Sequence, residues 1–493
     1  MTCKVTASLA WTGTLHAVGL VMNLAFTAIL ARLLAPADFG VMAGAMIFLC
    51  FAQLVSRGGI VPTLVQRPTL SVADLRGALT LAVIVATVAF GFLELFAPYA
   101  ASLLRLEAIE PVLRLLAFLL LIEILGIVAE TLLIRRLEVR RLMMIELAGR
   151  GIGTGVVGIS LAYLGWGYWA LVVATLTDAA FRVVALLCLV RPPLVPLVSL
   201  ELLQLLGLRS AGFTLRGILN FIATNADNAI VARYFDAASL GLYSRAYHLM
   251  SLPAGFYDNV ASRVVFPAMS RVQKKPVRLK AAFLRGLSLT AMLGLPLCAV
   301  LLVLAEDVVR LVLGGQWLSV VPIFMVLATS MYLRLGAKLS SSLLNATGSV
   351  LTLVIIQAIY AASVIALCLV AYAHGIVALA GAVCAAIFVY FGVISTVACR
   401  RAGVSCVEFA SAHVHGALLA GLTGCLTWIS SDFWWFADFE GLVPILSSTF
   451  VLSLLAVLLV FFRPRMLLGR DGTEFFAVMQ SLIVERFAYF ARG

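Results

Sequence analysis

The chain has 493 residues, 63% of them hydrophobic and only 12% charged, with a formal net charge of +12. A soluble domain runs at about 45–50% apolar and about 25% charged, so this composition excludes a water-soluble globule. Unbroken apolar runs of about 20 residues, rather than alternating segments of about 10, select membrane-spanning helices over a β-barrel.

Fourteen spans are predicted, near 8–32, 40–63, 77–98, 113–134, 144–164, 167–190, 208–233, 240–268, 281–304, 318–344, 351–372, 376–399, 409–431 and 441–462. The first follows Lys4 without a small-residue cleavage site and reads as an uncleaved span. The stretch 339–399 holds no Asp, Glu, Lys or Arg. The connecting segments are too short to fold as extramembrane domains. Basic residues segregate between the two sets of alternating loops. Nineteen, among them Arg135, Arg136, Lys274, Lys275, Arg400 and Arg401, fall on one side, and five, Arg32, Arg105, Arg114, Arg233 and Arg310, on the other. Retention of Lys and Arg in the cytoplasm then puts both termini there and explains the positive charge without nucleic acid. The acidic loop 432–440 carries Trp434 and Trp435, residues of an interfacial belt on the opposite side. After Arg470, Phe475, Met479, Leu482, Ile483 and Phe490 recur at the spacing of a helix lying on the cytoplasmic leaflet.

Two stretches repeat. Ala28-Ile-Leu-Ala-Arg-Leu-Leu-Ala-Pro-Ala-Asp-Phe-Gly40 aligns with Ala229-Ile-Val-Ala-Arg-Tyr-Phe-Asp-Ala-Ala-Ser-Leu-Gly241, and Ser56-Arg57 with Ser262-Arg263. Six predicted spans separate the copies, and an even number preserves orientation. The reading is an all-α polytopic protein of two parallel-repeat six-helix lobes, 1–200 and 201–402. Two additional spans at 403–465 and a cytoplasmic tail at 466–493 follow. Two such lobes around a central cavity suit alternating access.

Ala31-Arg-Leu-Leu-Ala-Pro-Ala-Asp-Phe-Gly40, Asp227-Asn-Ala-Ile-Val-Ala-Arg233, Leu240-Gly-Leu-Tyr-Ser-Arg-Ala-Tyr247 and Val265-Phe-Pro-Ala-Met-Ser-Arg271 resemble the polysaccharide transporter family. These are the Wzx-type flippases of the multidrug/oligosaccharidyl-lipid/polysaccharide superfamily. The resemblance covers roughly residues 5–400 and is nearest to the colanic-acid and exopolysaccharide exporters. It implies a carrier in the bacterial inner membrane, not an enzyme. Its cargo would be an undecaprenyl-pyrophosphate-linked oligosaccharide, moved to the periplasmic leaflet for exopolysaccharide, capsule or O-antigen assembly. Membrane lipids, the polymerase and the chain-length regulator of the same route are the implied partners. A multidrug–cation antiporter of the same superfamily is the alternative, although the first span lacks the acidic residue usual there. A polymerase or ligase would need a large periplasmic loop, and none is present.

An ionisable side chain at membrane depth costs about 2.5–3.5 kcal/mol on insertion scales, so each such residue is a candidate for the cavity. Arg offers a planar fork suited to phosphate. Arg216 and Arg245, on helices that border the cavity by the resemblance, are candidate substrate contacts; pairing with Asp227 or Asp258 is the competing reading. Arg57 and Arg263 either capture phosphate near the cytoplasmic side or snorkel to headgroups. Arg334 and Lys338 share a helical face. Asn220, Asn225 and Asn228 make the seventh span polar enough to line a cavity, and Asp227 is a candidate ion-coupling residue. Asp178 and Arg182 read as a structural ion pair, with Glu123, Glu130, Glu146 and Arg150 as a related network. The glycine-rich run Gly149–Gly158 reads as close helix packing. The scattered histidines and nine cysteines show no metal-ligand spacing, and no cofactor motif is present.

Overall fold

A computed structural model describes residues 2–57, 59–67, 69–193, 195–260 and 266–435, and among them every regular element is a helix. In chain order the first are α1 (Thr2–Leu33), α2 (Pro36–Arg57), α3 (Ile60–Gln66), α4 (Val72–Leu104), α5 (Ile109–Arg135), α6 (Val139–Arg150), a π-helical segment (Gly151–Gly158), α7 (Ile159–Tyr163) and α8 (Tyr168–Val190). Then come α9 (Leu200–Tyr234), α10 (Ala237–Val260), α11 (Phe266–Val272), α12 (Pro276–Val303) and α13 (Ala305–Val312). The rest are α14 (Val321–Thr329), α15 (Met331–Ala346), α16 (Val350–Ala371), α17 (Ile376–Ala402) and α18 (Cys406–Trp435).

Eleven helical stretches among the described residues are long and apolar enough to cross a membrane. The predicted seventh and eighth spans are present as the long helices α9 and α10, but neither is among those eleven. Their polar residues lower the mean hydropathy. The span at 441–462, most of the acidic loop and the tail helix lie outside the described residues. Residues 432–435, read as loop, are the last turn of α18. A surface suited to lipid lies on α4. Val88, Phe92, Leu95 and Tyr99 are more than half exposed and follow i, i+4, i+7, i+11 spacing, a single apolar stripe that water would not tolerate.

Helix ends are set by local chemistry. At α4 the Ser71 hydroxyl accepts from Asp74 N at 3.1 Å, and Asp74 accepts from Ser71 N at 3.0 Å, a capping box. The repeated turn is capped in two complementary ways. In the first copy Asp38 accepts from Ala35 N at 2.9 Å; in the second Asp236 accepts from Ser239 N at 2.9 Å. Each copy keeps one half of a capping box. Ser239 holds the Asp236 carboxyl below its ordinary pKa through side-chain and backbone hydrogen bonds. Asp38 also accepts from Tyr168 N at 3.0 Å and so caps α8, where Gly167 takes a positive φ of 55°.

The described chain falls into two compact units. One comprises residues up to Arg245 with Val312–Gln316 and Cys368–Ile376. The other comprises Ala246–Leu311, Trp317–Leu367 and the residues from Val377. In the first unit Ile60 and Leu64 of α3, Leu75, Ala78 and Ala82 of α4, Ile124 and Ile127 of α5 and Leu206 of α9 form one core. The repeated turns meet there reciprocally. A Cβ on Gly40 would collide with the carbonyl of Ala237, and a Cβ on Gly241 with the carbonyl of Pro36, its repeat equivalent. The glycine-rich run packs closely, as its composition predicts: Gly149 and Gly153 lie against Asp178 of α8, and Gly155 against the Phe26 ring. In the second unit Phe283 and Leu287 of α12, Leu339 and Leu343 of α15 and Ile394 and Ala398 of α17 form the core. Lys280 of α12 pairs with Glu408 of α18 at 2.7 Å.

Candidate functional site

The first unit holds a cavity of about 460 Å³ between α2, α3, α5 and α9. Its lining includes Gln53, Leu54, Arg57, Glu130, Asn220 and Phe221. Arg57 lies one turn after Gln53 on α2, so both present the same face. Neither end of the Arg57 guanidinium is open. Nη1 donates to Glu123 at 2.8 Å and Nη2 to Glu130 at 2.5 Å, both on α5. Glu123 also accepts from Gln53 Nε2 at 3.0 Å and from Arg182 Nη2 at 3.0 Å. Arg182 Nε lies 3.4 Å from Asp178. The sequence-predicted Asp178–Arg182 pair is therefore present and continues through Glu123 into Arg57. Among the described residues the cations on Glu123 and Glu130 are Arg57 and Arg182, not Arg150.

Arg245 has a different environment. Its guanidinium lies over the Phe39 ring, 4.7 Å from the centroid, and its Nε is buried without a hydrogen-bond partner. Among the described side chains it forms no ion pair with Asp227 or another carboxylate; the side chain of Asp258, the other candidate partner, lies outside the described residues. Asp227 is 3% exposed and instead accepts from the Tyr243 hydroxyl at 2.9 Å and from Asn228 N at 2.8 Å. Tyr243 is fully buried, so its hydroxyl supplies the donor that a buried carboxylate requires. Asn225 bonds within α9, to Phe221 O at 3.0 Å and the Thr224 hydroxyl at 3.1 Å.

In the second unit Arg334 lies over the Tyr247 ring, 4.9 Å from its centroid, and donates to the Tyr247 hydroxyl at 2.8 Å. Lys338 follows one turn later and is half-buried. Arg216 lies within α9 but its side chain is outside the described residues, as is Arg263 altogether. The structure thus joins Arg57 and Asn220 in one cavity and joins Asp227 to Tyr243. Glu130, Gln53, Phe221, Tyr243 and Tyr247 were not singled out from sequence as site residues. The i,i+4 spacing of Gln53 and Arg57 was the one available signal for that face. Among the described residues no three His, Cys, Asp or Glu side chains are grouped to hold a metal ion.

Comparison with known proteins sets these features in a family. The chain is 27% identical over 304 residues to the succinoglycan biosynthesis transport protein ExoT of Rhizobium meliloti (strain 1021), covering 61% of each. The match spans about three fifths of that relative's length. It is 24% identical over 353 residues to the lipopolysaccharide biosynthesis protein WzxC of Escherichia coli (strain K12), covering 70% of this chain and 71% of the relative. In fold it is similar to the lipid II flippase MurJ, with a TM-score of 0.73 at 12% identity over 93% of this chain and all of the other. The family model described as polysaccharide biosynthesis protein matches residues 29–322, beginning inside the first repeated motif and running past the second. With both copies of that motif and the long helices between them inside the match, the chain belongs to the polysaccharide biosynthesis protein family of multi-pass membrane proteins.

Proposed function

We propose that the chain is a flippase that carries an undecaprenyl-pyrophosphate-linked oligosaccharide from the cytoplasmic to the periplasmic leaflet of a bacterial inner membrane. It works by alternating access of two lobes, 1–200 and 201–402, with both termini in the cytoplasm, and hands its cargo to the polymerase of the same route. The relatives' names and the shared fold support this reading. The observation that carries it is Arg245: a cation on a helix read as spanning the bilayer, with no carboxylate partner among the described side chains. A buried charge without a counter-ion is costly. An anionic cargo that arrives and leaves would supply the counter-charge, and the Phe39 face holds the guanidinium in place meanwhile.

Arg216, Arg334 and Lys338 are further proposed cargo contacts, and Asp227 the proposed coupling residue. Deleting the gene is expected to abolish one surface polysaccharide and to accumulate its lipid-linked repeat unit on the cytoplasmic side. Arg245→Ala, in protein that still inserts, is expected to lower export about tenfold or more, the loss of a charge-assisted hydrogen bond of about 1.5–3 kcal/mol. Arg245→Lys should retain part of the activity. A deletion strain with every surface glycan intact and no accumulated intermediate would overturn the reading.

A further inference from the structure

The cavity on α2, α3, α5 and α9 is not the cationic site that Arg57 suggests in isolation: its charged lining residues, Arg57 and Glu130, pair with each other and back onto a larger ion network. Two guanidiniums, Arg57 and Arg182, face three carboxylates, Glu123, Glu130 and Asp178. Glu146, which lies in the same network, and Arg150, one turn later on α6, add one charge of each sign and leave the excess unchanged. An anion placed beside Arg57 would therefore meet a guanidinium whose charge is already balanced and a carboxylate excess behind it.

Two acceptors on the α2 and α5 walls are left over. Glu130 gives Oε2 to Arg57, and its Oε1 accepts from no described residue. Gln53 must turn its amide nitrogen to Glu123, because a carboxylate only accepts, and this leaves the amide oxygen without a donor among the described residues. Asn220 and Thr224 of α9 add polar groups, and the rest of the wall is apolar. Leu54, Val61 and Pro62 lie beside Phe221, whose ring packs 5.8 Å from that of Phe51. A few fixed acceptors on a mainly apolar wall, in a volume of about 460 Å³, fit a small organic ligand that donates hydrogen bonds.

The geometry points to a glycan subsite that takes uncharged, hydroxyl-rich sugar residues and discriminates against acidic sugars and phosphate. Glu130 and Gln53 accept the sugar hydroxyls. Arg57 is a positioning residue that holds Glu130 at the cavity wall and does not bind the cargo's phosphates. This assignment rests on the flippase reading for the nature of the cargo, and it places the pyrophosphate elsewhere.

The test uses the full chain in nanodiscs of zwitterionic lipid, titrated separately with maltotriose and with trigalacturonic acid and followed by ligand-observed NMR. Maltotriose is expected to bind about tenfold or more tightly than the acid, a difference of about 1.4 kcal/mol. Glu130→Gln keeps the shape and removes the charge, and is expected to bring the two ligands within about threefold, chiefly by admitting the acid. Gln53→Leu, which lies outside the Arg57 ion pairs, is expected to weaken maltotriose about tenfold with the fold intact. Binding of neither ligand, equal binding of both, preference for the acid, or an unchanged ratio in Glu130→Gln would each overturn the subsite. The deletion strain reports separately on the flippase reading. Unselective binding together with loss of a surface glycan removes the subsite alone, and selective binding with every glycan retained removes the flippase reading alone.

Discussion

Two arginines that look alike in the sequence differ in what surrounds them. Arg57 and Arg245 both lie on helices read as spans, yet Arg57 is held by Glu123 and Glu130 while Arg245 lies over Phe39. The carboxylates around Arg57 are not equivalent either. Glu123 is 9% exposed and accepts from Gln53, Arg57 and Arg182, whereas Glu130 is 25% exposed and, among the described residues, accepts from Arg57 alone. Replacing Glu123 by Ala removes one carboxylate from each of two half-buried guanidiniums, which keep Glu130 and Asp178, and is expected to cost about 1–3 kcal/mol. Glu130→Ala, at the wetter end, should cost about 1 kcal/mol or less. Thermal unfolding in detergent should rank them in that order. Tyr243→Phe removes a donor from the buried Asp227 carboxylate and is expected to destabilise by about 1–3 kcal/mol. An unchanged midpoint would show that another donor replaces the hydroxyl. The i,i+4 spacing puts Gln53 and Arg57 on one helix face, a signal the sequence reading did not take up, and their shared partner lies 70 residues from Gln53, a pairing that no local pattern encodes.

At the scale of helices, the repeated turn is the element that sequence reading located best. Gly40 and Gly241 were visible as identities at equivalent positions, but identity alone does not say why glycine is needed. The backbones of Pro36 and Ala237 occupy the space a Cβ would take, and each glycine meets the other copy's residue. Gly40→Ala and Gly241→Ala are each expected to force the turns apart and destabilise by about 1–3 kcal/mol or more. The double substitution should cost less than the sum, since one displacement relieves both clashes. A strictly additive double variant would argue against a shared contact. Ser71→Ala, which removes half of the α4 capping box, should cost about 1 kcal/mol. Polarity along α9 was equally legible, whereas the facing of its residues was not: Asn220 lines the cavity while Asn225 turns back to its own helix.

For the molecule as a whole, the bias of basic loops predicts an orientation that can be measured directly. With a membrane-impermeant thiol reagent on intact cells, Glu107→Cys is expected to label above the parent protein and Lys274→Cys only after permeabilisation. The reverse pattern would invert the topology. Composition and hydropathy by themselves determined the helical, lipid-embedded class, because in lipid only helices or closed barrels satisfy their backbone and unbroken apolar runs of about 20 residues select helices. The repeated turn and the motifs around it carried the family. Tertiary structure alone decided which charges are neutralised, since that depends on distances between helices that the chain brings together from remote positions. Sequence supplies the charge of Arg57 and Arg245; only packing places Glu123 and Glu130 against the first and an aromatic face against the second.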